Sequence, residues 1–177
     1  MNHGQFSRLT QVRRSTLVAA GLYIATFQIC GWSGLRINVS PSLPVGLYVT
    51  TGTGKLVEFC PSEPFAHLAL ARGYRNAGVC PDGGAPLMKP IVASTGDQVD
   101  FSARGFAVNG MRIPKTAPLV ADTKGRPLSH WAFGRYAVPA GVVWVASSYN
   151  PRSFDSRYFG PVPVTTLRSH LRPILTF

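Results

Sequence analysis

A chain of 177 residues has room for one globular domain plus an extra element, and 18 Gly with 15 Pro exclude a helical bundle. The formal net charge is +11; residues 1–36 carry +4 of it (Arg8, Arg13, Arg14, Arg36, no acid) and the remainder +7. The basic residues are scattered, without a Lys/Arg run or a nucleic-acid motif, so an anionic membrane surface suits this excess better than nucleic acid.

Residues 1–14 form a polar, basic tail. Residues 15–35 contain no charged side chain. As a helix they span about 31 Å at roughly 1.5 Å per residue, the thickness of a hydrocarbon core. Trp32 sits where an interfacial aromatic belongs, and the basic flank keeps the N-terminus cytoplasmic. A removable signal peptide has similar flanks, but this stretch is long for one and no clean Ala-x-Ala site follows. The expectation is therefore an uncleaved transmembrane anchor, with cleavage as the alternative.

From residue 46 the patterns are short strands: 46–51, 55–60, 87–93, 97–101, 105–108, 111–114, 133–138 and 142–147. Residues 64–72 are the best helix, with Pro at its start and Gly73 just past its end. Asn109-Gly110 is the strongest hairpin signal. Residues 115–130 read as a polar surface insertion with a mobile look. The expected fold is mainly β, with one N-terminal transmembrane helix and one short helix, and the domain order is 1–14, 15–35 and 36–177.

Cys30 lies in the apolar segment, Cys60 and Cys80 beyond it. In an oxidising compartment Cys60–Cys80 is the natural disulfide; two unpaired buried thiols are the alternative. The histidines are far apart and no Cys-x-x-Cys occurs, so neither a metal site nor a cofactor is expected.

Three stretches concentrate chemistry. Residues 38–48 hold Ser40 and Ser42 on a turn stiffened by Pro41 and Pro44, although Ser and Pro are also ordinary turn residues. Lys89 interrupts an apolar strand. Pointing to solvent it is an unremarked surface lysine. Desolvated, its ammonium is disfavoured and it becomes a usable base, at a cost of about 3–4 kcal/mol for two to three pKa units. Residues 147–160 gather hydroxyls around Asp155 and Arg157; such a loop either offers Ser153 or Ser156 as donors or is a structured surface turn.

Together these stretches resemble the type I signal peptidase superfamily of serine/lysine peptidases, and within it the TraF-like branch of conjugative-transfer peptidases. Ser-Pro-Ser-Leu-Pro-x-Gly-x-Tyr at 40–48 is similar to the nucleophile box. Leu-Met-Lys-Pro-Ile-Val-Ala-Ser-Thr-Gly-Asp at 87–97 is similar to the lysine box, and Ser-x-Asp-Ser-Arg-x-x-Gly at 153–160 to the box that closes the site.

The resemblance implies Ser42 as nucleophile and Lys89 as general base, and an oxyanion hole from the Ser42 N–H and the Ser40 hydroxyl. It further implies that Ser153 orients the lysine. A carboxylate touching Lys89 would hold its ammonium, so Asp155 is expected to face Arg157 instead.

The implied partners are an exported precursor, foremost a pilin, the inner membrane and the conjugative secretion machinery, with the catalytic domain periplasmic. Cleavage alone and cleavage with head-to-tail cyclisation are both open. Three departures mark the specialised branch: one residue, Leu43, between Ser42 and Pro44; Pro90 after the lysine; and a small domain. The competing readings are a non-catalytic anchored assembly factor and a Ser-His-Asp hydrolase using His67, His130 or His170.

Overall fold

Val-Val-Trp-Val at 142–145 leaves no polar position to face water, and the fold accounts for this. In the computed structural model, which describes residues 34–177, eleven strands form: β1 (Leu35–Asn38), β2 (Gly46–Thr51), β3 (Leu56–Phe59), β4 (Leu87–Ala93), β5 (Gln98–Ser102), β6 (Gly105–Val108), β7 (Met111–Arg112), β8 (Gly134–Ala137), β9 (Val142–Val145), β10 (Val162–Pro163) and β11 (Leu167–Thr176). Two short helices, α1 (Phe65–Ala71) and α2 (Ser156–Phe159), accompany a 3-10 turn at Val164–Thr166. The described residues are mainly β, as expected. The tail 1–14 and the expected span 15–35 lie outside the described residues, except that Gly34 lies in a turn and Leu35 opens a strand.

The strands make a seven-stranded sheet, β1-β2-β11-β3-β4-β9-β10, and a four-stranded one, β7-β6-β5-β8. Residues Ile37–Phe177 form one compact unit. Successive side chains of β9 serve two cores. Val143 and Val145 join Val57, Phe59, Leu87 and Phe154 in one, while Trp144 joins Val99, Phe101 and Phe106 in the other. With both faces covered, β9 has no use for a polar residue.

The hairpin at 109–110 forms as its turn chemistry requires: Asn109 and Gly110 take φ of 50° and 82°, and Val108 pairs with Met111. Helix α1 is capped by Arg72, and Gly73 follows at φ 71°. Cys60 and Cys80 are joined in a disulfide, Cα–Cα 5.7 Å, which ties the end of β3 to the loop before β4.

Three regions depart from the expectation. The longest strand, β11, carries Arg168, His170, Arg172 and Pro173, and most of it is exposed. It pairs antiparallel with both β2 and β3, so backbone pairing rather than an apolar pattern makes it a strand. Gly46 of β2 lies so close to it that a Cβ would run into the Leu175 carbonyl.

The insertion 115–130 has no long regular element, yet it is tied down. Asp122 accepts from the Tyr74 hydroxyl at 2.6 Å, Arg72 donates to the Pro127 carbonyl at 2.7 Å, and Leu119 N–H donates to the Tyr158 hydroxyl at 3.1 Å. Finally, residues 153–160 are buried throughout, and 156–159 form a helical turn, so they are an interior loop and not a surface turn.

Candidate active site

The first stretch folds around one side chain. Asn38 is buried, and its amide donates to the carbonyls of Ser40, Leu43 and Pro44 at 3.0–3.2 Å, while its Oδ1 accepts from the Ser40 N–H at 3.1 Å. Tyr48 adds a hydroxyl bond to the Pro44 carbonyl at 2.7 Å, and Leu43 plugs the turn into the interior. Ser40 is left exposed at the tip and Ser42 half-buried beside it.

Lys89 lies on β4 opposite Val57 of β3 and on the same side of the strand as buried Leu87. Only 3% of it is exposed, which decides between the two readings of this lysine. Burial pushes its ammonium from 10.5 down to about 8; Asp155 pulls it back up and Arg157 presses it further down. Its Nζ donates to Ser153 Oγ at 2.9 Å.

The third stretch is built on a buried ion pair. Arg157 Nε and Nη2 donate to the two Asp155 oxygens at 2.8 Å each, with both side chains fully buried. The remaining guanidinium hydrogens reach the Ser153 carbonyl at 2.8 Å and the Pro151 carbonyl at 2.7 Å, with longer contacts to Lys115 and Ala117. A buried ion pair repays its desolvation only when its donors and acceptors are satisfied in this way.

Asp155 also caps α2 through the Arg157 N–H and accepts the Ser147 N–H at 3.0 Å. It makes no ion pair with Lys89 among the described residues. Ser156, a candidate donor by sequence, instead accepts the Val145 N–H at 2.9 Å and fastens α2 to β9.

Two adjoining clefts, of about 300 and 330 Å³, share Ser40, Ser42, Gly73, Tyr74, Leu87 and Lys89. The structure thus brings Ser42 and Lys89 to one groove, although no hydrogen bond links the two. Ser153 stands behind the lysine. The groove's walls add Leu119, Asp122 and Leu128 from the insertion and Phe154 and Tyr158 from the third stretch.

Asp122 is held well below the usual carboxylate range by the Tyr74 hydroxyl, with Arg126 and two backbone amides behind it. No histidine lines either cleft: His67 is exposed on α1, His130 stacks on Phe133, and His170 bonds the Gly54 carbonyl. A Ser-His-Asp site at Ser42 with these histidines is thereby excluded. Among the described residues no cluster of three or more His, Cys, Asp or Glu could hold a metal.

Sequence reasoning missed Asn38, Tyr74 and the insertion's place in the wall. A buried Asn among turn residues carries no local mark, and Asp122, which accepts from Tyr74, lies 48 residues away.

Fold and groove together give a β-rich domain with a serine and a desolvated lysine in one cleft, and the chain belongs to the signal peptidase family, peptidase S26, whose model matches residues 9–175. Within that family it is similar to TraF proteins of conjugative transfer. A plasmid transfer protein TraF from Escherichia coli is 37% identical over 91% of this chain and 89% of its own length. A second from Escherichia coli is 32% identical over 97% and 99%, and a conjugal transfer protein TraF from Agrobacterium fabrum 36% over 91% and 94%. A solved signal peptidase I from Enterococcus faecalis overlays with a TM-score of 0.36 at 16% identity, covering 68% of this chain and 97% of that one. The assignment rests on the sequence matches.

Proposed function

We propose that the protein is a membrane-anchored serine endopeptidase that matures an exported precursor for conjugative transfer, foremost a pilin. The observation that carries it is the buried Lys89, hydrogen-bonded to Ser153 in the groove that exposes Ser42. A lysine desolvated at a cost of a few kcal/mol in a cleft beside a hydroxyl has the environment of a general base.

In the cycle, neutral Lys89 takes the proton of Ser42 Oγ as that oxygen attacks the scissile carbonyl. The oxyanion is met by the Ser42 N–H and the Ser40 hydroxyl. Collapse breaks the C–N bond, Lys89 ammonium gives its proton to the leaving amine, and an ester on Ser42 remains. Water then releases a trimmed chain, or the precursor's own amino terminus releases a ring; both routes share nucleophile and base. Asp155 and Arg157 hold the loop that carries Ser153. The basic tail and apolar span of the sequence support a domain on the periplasmic side of the inner membrane.

The test is mass spectrometry of a candidate pilin precursor coexpressed with the full chain or with Ser42→Ala. A product absent in the variant supports the peptidase, and one lighter by a water than the trimmed linear chain supports ring closure. An unchanged precursor in both arms favours an assembly factor.

A further inference from the structure

Two buried or half-buried side chains in the third stretch have no part in that cycle, yet both reach across to the nucleophile turn. Ser147 is fully buried and its Oγ donates to the Ser42 carbonyl at 2.5 Å, across 105 residues of sequence. Asn150 Nδ2 donates to the Pro41 carbonyl at 3.1 Å. These carbonyls belong to the two peptide groups that flank the Ser42 Cα.

A peptide group is planar and trans, so gripping the Pro41 oxygen also fixes the direction of the Ser42 N–H at its far side. Gripping the Ser42 oxygen fixes the next plane. With both planes held, the Cα–Cβ bond of Ser42 has one direction.

We infer that Ser147 and Asn150 are positioning residues that clamp the peptide groups on either side of Ser42, aiming its Oγ and N–H into the groove. The clamp is itself rigid. Ser147 Oγ accepts the N–H groups of Tyr149 and Asn150 at 3.1 and 3.3 Å, and Asn150 Oδ1 accepts the Arg152 N–H at 2.8 Å. Below it, Asp155 holds the Ser147 N–H. The Asn150 carbonyl accepts the Ser153 N–H at 3.1 Å, so the residue that orients Lys89 hangs from the same turn. One loop therefore sets both halves of the pair. This inference rests on Ser42 as the nucleophile.

The experiment uses the full chain in detergent and a fluorogenic peptide with alanine at the first and third positions before the scissile bond. Ser42→Ala, Ser147→Ala and Asn150→Asp are compared with wild type for kcat, KM, Tm and hydrogen exchange. Asn150→Asp keeps the acceptor for Arg152, removes the donor to Pro41 and adds a carboxylate, so its kcat is read on the high-pH plateau; at this partly exposed position it answers the question even if Ser147→Ala folds poorly. Both clamp variants should lower kcat by about ten- to a hundredfold with KM within about twofold, as expected of a misaimed group.

The pH midpoint of Ser147→Ala should stay where wild type has it, because Lys89 keeps Ser153. Amide exchange should rise in residues 38–45 and not in 87–93. Wild-type kcat and unchanged exchange at 38–45 in folded Asn150→Asp would overturn the clamp, as would a loss confined to KM or a moved pH midpoint in Ser147→Ala. Activity surviving in Ser42→Ala overturns the nucleophile assignment instead, and the exchange data then still report whether the clamp holds the turn.

Discussion

The two halves of the candidate pair are held in opposite ways. Ser42 sits half-buried on a proline-stiffened turn whose shape comes from side chains pulling on its carbonyls. Lys89 sits in a regular strand, buried, with Ser153, the hydrogen-bond partner of its Nζ, behind it. A nucleophile must be reached by substrate, so it belongs on a turn and needs outside help to stay aimed. A lysine base must be kept from water, so it belongs in a sheet whose ladder already fixes its backbone. Exposure and desolvation are demanded within one groove, and the loop 147–157 serves both.

The sharpest break comes from removing either half. Ser42→Ala and Lys89→Ala should each lower cleavage at least about a thousandfold, since groups that act as a unit are lost as a unit. Thermal unfolding separates them: Ser42→Ala should leave Tm unchanged, whereas Lys89→Met should raise it by relieving a buried charge. Activity persisting in Lys89→Ala would end the serine/lysine assignment.

Next comes Asp155→Asn, which strands a fully buried guanidinium. Denaturant unfolding should show a loss of about 3–5 kcal/mol, with activity falling because the loop does. Abolished cleavage with intact stability would mean that Asp155 acts on the chemistry directly.

The lysine also sets two pH dependences. Only its neutral form accepts the Ser42 proton, so kcat/KM should rise about tenfold per pH unit up to about 8 and level off above it. In the unfolded chain the ammonium returns to its ordinary 10.5, so between pH 8 and 10.5 the unfolded state holds more protons. Stability therefore rises with pH across that window, by up to about 3 kcal/mol, and this gain should vanish in Lys89→Met.

The smallest effect is at the wall: Tyr74→Phe removes one hydroxyl bond to Asp122 and should cost about 1 kcal/mol by denaturant titration.

What the sequence made legible is what local chemistry dictates. Asn109-Gly110 demanded its turn, Pro64 and Gly73 bracketed α1, and three spaced boxes carried Ser42, Lys89 and Asp155-x-Arg157. The burial of Lys89 was open, because alternation in β4 put apolar residues on both faces. Long-range backbone pairing hid β11, whose Arg168, His170 and Arg172 read as surface. The same distance hid the insertion, since Arg72, Tyr74 and Tyr158 fasten it from outside its own segment. Ser147 and Asn150 looked like any turn residues, their partners being two carbonyls more than a hundred residues earlier.

The position of β11 between β2 and β3 has a consequence for how the domain comes together. Of the strands described, β11 is the last to leave a ribosome or an export channel, yet it is the one that joins the strand after the nucleophile turn to the partner of the lysine strand. Until it arrives, β2 and β3 lack their shared neighbour, and the sheet does not yet join the two sides of the groove. Contacts of such high sequence separation are slow to form. The sheet that backs the groove should therefore close late in folding, after serine and lysine have both emerged.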